Sequence, residues 1–288
     1  MKILIIIDEY GWAFEFVARG IEKYSKHQVD YVRARDIDDK YNNYDIYYVL
    51  NNANYMDCKY KPSKERTICG VRGETNPDTV DPNNFAALQI VNKKIFDRYL
   101  EKYPNNKNMF YIRNAVDGNE FVPAEELGSN VGWSGDKTKP CKRFNLLSKI
   151  YNGKVIIKAD HGSNFFVKER TRKDQVEFYQ SLFVYIHPSN FGEGMSQTIV
   201  EAAACGLPII SCDIGDNRNI MSNEWFIAKE PDEKSIKEIN EKIEVLERNK
   251  EFAIHVGKEN RKRFDEGNWC WSKRAKEFDN LFETVKGK

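Results

Sequence analysis

The chain begins with an unbroken apolar run, KILIII, that ends at Asp8 and Glu9. A stretch from Trp12 to Tyr24 follows, in which apolar residues recur every three or four positions. A short run without alternation reads as a strand buried on both faces, and the stretch after it as an amphipathic helix. The segments QVDYV, DIYYVL and TICGV read as further strands. Residues 73–84, rich in Asn, Asp and Pro, read as a loop. Helical patterns are expected around residues 85–89 and 93–103, and MFYI supplies one more strand. Strands alternating with helices predict a parallel sheet wrapped by helices.

The second half restarts the rhythm. NVGWSG, KVIIK, LFVYIH, LPIIS and WFIA read as strands, with a helix expected near residues 173–181. Asp232 reads as an N-cap before charged, amphipathic helices over 235–263. The last segment keeps Trp271, Ala275, Phe278, Leu281, Phe282 and Val285 on one helical stripe. Two similar α/β domains follow from this pattern.

Composition narrows the function classes. With 288 residues the chain is long enough for two modest domains, and a net charge of +1 provides no global field that would draw it to nucleic acid or anionic lipid. The apolar start is too short for a signal peptide or a membrane span. Six cysteines without a CxxC pair argue for reduced thiols in a cytoplasmic protein. Four histidines lack ligand spacing, so no metal is expected; Asp36, Asp38 and Asp39 read as solvated charge.

The densest chemistry lies at residues 191–211, FGEGMSQTIVEAAACGLPIIS, where Glu193 and Glu201 are separated by seven residues across a loop-to-helix junction. Gly192 and Gly194 allow close backbone approach to phosphate, and the amides of Met195, Ser196 and Gln197 open a helix whose dipole favours negative charge. On a helical rise the two carboxylates lie about 10 to 12 Å apart along the axis. That separation accommodates a diphosphate with a hydroxyl-bearing ring at each end.

These residues resemble the signature of retaining glycosyltransferases of the GT-B fold, family 4. The resemblance implies two Rossmann-like domains facing a cleft, with NWCWSKRAKEFDNLF similar to the terminal helix that crosses back to the first domain. The segment RNAVDGNEFVP is similar to the family's inter-domain segment, with Ala115 replacing a glycine. The expected domains are residues 1–122, joined by 271–288, as the acceptor domain, and 123–270 as the nucleotide-sugar donor domain. By the same resemblance Glu193 contacts the donor sugar, Glu201 holds the ribose, and Gly194, Met195 and Ser196 line the donor site.

The family often places an Arg after a glycine, and later a Lys-Gly pair, to neutralise the leaving diphosphate. Here the loop VGWSGDKTKPCKR has Trp133 in place of that arginine, and Arg143 in place of the glycine after Lys142. Lys142 is expected as the catalytic cation, with Lys137 as its helper. Gly11 is expected near the donor phosphates, and Arg72 stands where relatives often carry a histidine. His187 reads as a strand-end histidine capped by backbone, or as a residue facing the cleft. The loop at Asp213, Asp216, Asn217 and Arg218 reads as a neighbour of the donor, and residues 166–172 as the surroundings of its base.

The implied activity is retaining transfer of a hexose from a nucleoside-diphosphate sugar, with UDP favoured, to a hydroxyl of a carbohydrate or glycoconjugate acceptor. No protein nucleophile and no metal take part. Two alternatives stay open: a transferase acting on modified bases of viral DNA, against which the neutral charge counts, and a sugar-nucleotide binder with weak turnover.

Overall fold

In the computed structural model, which describes residues 1–73, 79–160 and 172–287, the chain divides into two units. Met1–Ala115 together with Cys270–Lys288 form the first, and Val116–Trp269 the second.

The first unit contains strands β1 (Lys2–Ile7), β2 (Gln28–Arg33), β3 (Ile46–Val49), β4 (Thr67–Val71), β5 (Ala87–Ile90) and β6 (Met109–Tyr111). They pair in parallel in the order β2-β1-β3-β4-β5-β6. Strand β1 is buried after its first residue because it lies inside the sheet and alternate side chains feed two cores. Ile3, Ile5 and Ile7 pack with Val17, Ile21, Phe278 and Phe282, while Leu4 and Ile6 pack with Val32, Val49 and Tyr99. Helices α1 (Ala13–Tyr24), α2 (Asn52–Asp57) and α3 (Lys93–Lys102) connect the strands. Asn92 caps α3 by accepting the Ile95 N–H at 3.1 Å. The terminal helix Trp271–Lys286 lies against α1. At Gly20 a Cβ would come within 2.3 Å of the Trp271 indole, so only glycine fits that contact.

Residues 87–90 are strand β5 rather than the expected helix at 85–89. All four are buried between β4 and β6. An apolar run this short carries no readable period, and its central place in the sheet overrides the helix preference of Ala, Leu and Gln.

The second unit repeats the plan with β7 (Asn130–Asp136), β8 (Ile156–Asp160), β9 (Leu182–His187), β10 (Ile209–Cys212) and β11 (Phe226–Ile227), parallel in the order β11-β10-β9-β7-β8. Its helices are α4 (Arg172–Gln180), α5 (Gln197–Ala204), α6 (Asp232–Arg248) and α7 (Lys250–Glu266). Asp232 is the first helical residue of α6, and Pro231 is the N-cap, because proline's fixed φ and missing N–H suit the helix entry better. The small residues of α5 let it pack against α7, where a Cβ on Gly257 would lie 2.0 Å from the Gly206 carbonyl.

Each sheet reverses its winding once, between β1 and β3 in the first unit and between β7 and β9 in the second. The loops leaving the carboxyl ends of such a strand pair diverge and open a crevice, the usual ligand position in sheets of this kind. Among the described residues no helix is long and apolar enough to cross a membrane.

Candidate active site at the winding reversal of the second unit

The loop after β7 and the loop after β9 meet at this reversal. Asn190 N–H donates to the Cys141 carbonyl at 3.2 Å, joining the two. The β7 loop ends in a 3-10 turn, Pro140–Lys142, followed by Arg143 in the left-handed region at φ 50°. This backbone favours glycine. The Arg143 side chain compensates through its buried guanidinium, which donates to Asp232 Oδ1 at 2.6 and 3.1 Å, Ser235 Oγ at 2.8 Å and the Pro188 carbonyl at 3.2 Å. One residue thus fastens both loops to the start of α6.

That clamp sets Lys142 beside Glu193. Lys142 Nζ lies 2.5 Å from Glu193 Oε1, with the two side chains 15% and 11% exposed. His187, wholly buried at the end of β9, reaches the other oxygen, Nε2 to Oε2 3.2 Å. Its ring stacks on Tyr185 with centroids 6.3 Å apart, and Nδ1 has no hydrogen-bond partner among the described residues. Burial pushes the Glu193 carboxyl up, but attraction to His187 and Lys142 outweighs it and holds the group well below the usual carboxylate range. Burial also lowers the basicity of His187, against the pull of Glu193. A neutral imidazole facing an ionised carboxylate carries its proton on Nε2, an assignment made from the hydrogen-bond pattern.

Glu201, inside α5 and 1% exposed, has different company. It accepts from Gln175 Nε2 at 2.7 Å, from the Tyr179 hydroxyl at 2.9 Å and from Arg172 Nη1 at 3.3 Å. Burial raises its carboxyl above the ordinary value, and the field of Arg172 only partly offsets this. The Arg172 guanidinium also lies 4.5 Å over the Phe121 ring.

Gly194, Met195 and Ser196 form the buried entry to α5. Ser196 is its N-cap but makes no capping bond; its hydroxyl meets Thr198 Oγ1 at 3.0 Å. Gly215 passes so near that a Cβ there would lie 2.5 Å from the Gly194 carbonyl. Lys137 is half-buried and has no ion-pair partner among the described residues. Gly11 belongs to the first unit. Its φ is +78°, and its N–H donates to the Glu15 carboxylate, which also takes Arg19 and Tyr31. Trp133 is fully buried in β7 against Phe144, so it is core and not a residue of the loop. Of the expected base surroundings, residues 166–171 lie outside the described residues, and Arg172 binds Glu201.

The His187 ring is capped by the Glu193 carboxylate, not by backbone. Sequence reasoning did not single out the roles of Arg143, Gln175 and Tyr179. Only the lost glycine after Lys142 hinted at the first; the other two come together through α4, with no local signal.

The sequence from 158 to 263, which includes β9, the Glu193 loop and α5, matches the family model described as glycosyl transferases group 1. The fold is GT-B, and solved glycosyltransferase structures superpose on nearly the whole chain. Anabaena HepE, in complex with UDP and glucose, matches with a TM-score of 0.72 at 13% identity, over 98% of this chain and 99% of that one. Sucrose-phosphate synthase from Thermosynechococcus elongatus gives 0.69 at 10%, over 99% of each. S. aureus TarM, in a mutant complex that contains UDP, gives 0.63 at 16%, over 82% of this chain and 55% of that one. No curated protein matches the sequence.

Proposed function

We propose that this glycosyltransferase moves a hexose from a UDP-sugar to a hydroxyl of a carbohydrate or glycoconjugate acceptor, with retention of anomeric configuration and without a metal ion. The observation that carries this reading is the Lys142–Glu193–His187 cluster beside the α5 entry. It sets an ionised carboxylate and a primary ammonium at a winding reversal, next to a helix start without a side-chain cap. HepE and TarM, both captured with UDP, support the choice of base.

In the proposed donor complex the diphosphate rests at the amides of Gly194, Met195 and Ser196. Glu193 accepts hydrogen bonds from hydroxyls of the transferred sugar, and Glu201 serves the ribose. Lys142, paired with Glu193 in the structure, turns to the diphosphate, assisted by Lys137. The glycosidic C1–O bond breaks toward UDP while the acceptor oxygen bonds to C1 on the same face. The acceptor's proton passes to the departing phosphate oxygen. The protein supplies position and charge: Lys142 neutralises the leaving group, and His187 keeps Glu193 aimed at the sugar. The left-handed backbone at Arg143 supports the assignment of Lys142, since the residue after the family's lysine is a glycine.

A thermal-shift screen against UDP, GDP, ADP and TDP sugars tests the donor, because a ligand stabilises the fold it binds. UDP compounds are expected to give the largest shift, and NMR of the product to show an unchanged anomeric configuration. A larger shift with another base, or an inverted product, refutes the respective half of the reading. Detectable hydrolysis of the donor by the isolated protein separates an enzyme from a mere binder.

A further inference from the structure

A cation among uncharged oxygens stands at the carboxyl edge of the first unit. Arg72, which follows β4, donates Nε–H to the Leu50 carbonyl at 3.1 Å, and its other two nitrogens donate to Asn114 Oδ1 and the Tyr48 hydroxyl. The Tyr48 hydroxyl passes its own proton to Gln89 Oε1 at 2.7 Å, and the Gln89 amide donates to the Ile112 carbonyl. The Phe14 and Tyr48 rings each lie 5.9 Å from the guanidinium carbon. No carboxylate among the described residues pairs with it.

None of the described neighbours supplies a negative charge. Burial raises the Tyr48 phenol and pushes the Cys69 thiol up to about 12, so both stay protonated. A guanidinium withdrawn from water against neutral partners is costly unless an anion arrives to balance it. The planar fork has more donors than these three bonds use, and it suits the paired oxygens of a phosphate or carboxylate.

The surroundings fit a ligand. Leu50 directly follows β3, and Phe14 lies in the first turn of α1, so Arg72 flanks the winding reversal between β1 and β3. The loop after β1 displays Tyr10 at 47% and Trp12 at 39% exposure, apolar ring faces of the kind on which sugars stack. The amino end of α1 already carries a carboxylate, since Glu15 lies in its first turn and accepts the Gly11 N–H just before it.

We propose that the carboxyl edge of the first unit is an anion subsite in which Arg72 receives a phosphate or carboxylate group carried by the acceptor. That the anion sits on the acceptor rests on the transferase activity proposed above; the anion site itself does not.

The test titrates three probes, glycerol 3-phosphate, glucuronate and neutral methyl glucoside, by calorimetry into the full chain. UDP is added first, to saturation, so that the probes do not enter the site near Lys142. The wild type is expected to bind at least one anion about tenfold or more tighter than methyl glucoside, a difference of about 1.4 kcal/mol. Phosphate against carboxylate then identifies the group. Arg72→Gln is expected to erase the preference, and Arg72→Lys, which keeps the charge but loses the fork, to retain only part of it. The lysine variant decides the matter if the glutamine variant fails to fold. Equal binding of charged and neutral probes, or an anion preference that survives these substitutions, overturns the proposal. A failure of UDP to bind counts against the donor reading alone, since the Arg72 variants still report on the anion.

Discussion

Glu193 and Glu201 share one motif and live in opposite electrostatic settings. Glu193 sits in a loop, slightly exposed, held ionised by an ammonium and a histidine; Glu201 sits in a helix, sealed, among a phenol, an amide and a guanidinium, with its carboxyl raised. The motif spacing alone treats them as equals. On the proposed reading the partners set the role: Glu193 exchanges its ammonium partner for sugar hydroxyls during turnover. On the same reading Glu201, fixed by three donors, meets the ribose with a carboxylate already held in place.

Glu193→Gln should do the most damage. It removes the charge and keeps the shape, so turnover of the UDP-sugar is expected to fall by about 10²–10³, while UDP lacking the sugar binds almost as before. Lys142→Met follows, with kcat lower by about 10² and UDP affinity about tenfold weaker, because the leaving diphosphate loses its cation. Glu201→Gln is expected to weaken donor affinity about tenfold with little change in kcat. Steady-state kinetics on the three variants sharpen the comparison; identical kcat and KM effects at the two acids would break it.

Arg143→Ala addresses the support beneath Glu193. Loss of the clamp removes the guanidinium donors to Asp232, the Ser235 hydroxyl oxygen and the Pro188 carbonyl, and is expected to cost about 1–3 kcal/mol in a urea titration, with a drop in turnover as Lys142 loses its register.

The smallest effects concern pH. A depressed carboxyl such as Glu193 adds stability above its unfolded value of 4.5, and that contribution is lost as pH falls from there through the folded value. A raised carboxyl such as Glu201 acts in reverse, since stability declines as pH rises from 4.5 toward its folded value. Urea midpoints on both sides of 4.5 should therefore show a shallower acid loss in Glu193→Gln and a flatter rise-side decline in Glu201→Gln.

The strands, the two-unit plan and the Glu193 loop were legible because buried parallel strands and glycine-marked helix entries leave local patterns. Segment 85–89 misled because its apolar residues are too few to show a period, and sheet position decided the outcome. The capping of His187 and the Arg143 clamp were not legible. The clamp depends on β7, β9 and α6 meeting across intervals of up to 92 residues, which no local window contains; the His187–Glu193 contact spans six residues, but it requires the loop after β9 to turn back on the strand end, which the residue types do not announce.

The central claim, that the nucleotide sugar binds at the α5 entry of the second unit, is tested most directly by hydrogen–deuterium exchange with and without UDP-glucose. The account predicts slowed exchange at the amides of residues 192–198 in the wild type, reduced in Lys142→Met. Saturable UDP-glucose binding with unchanged exchange across that segment would contradict it.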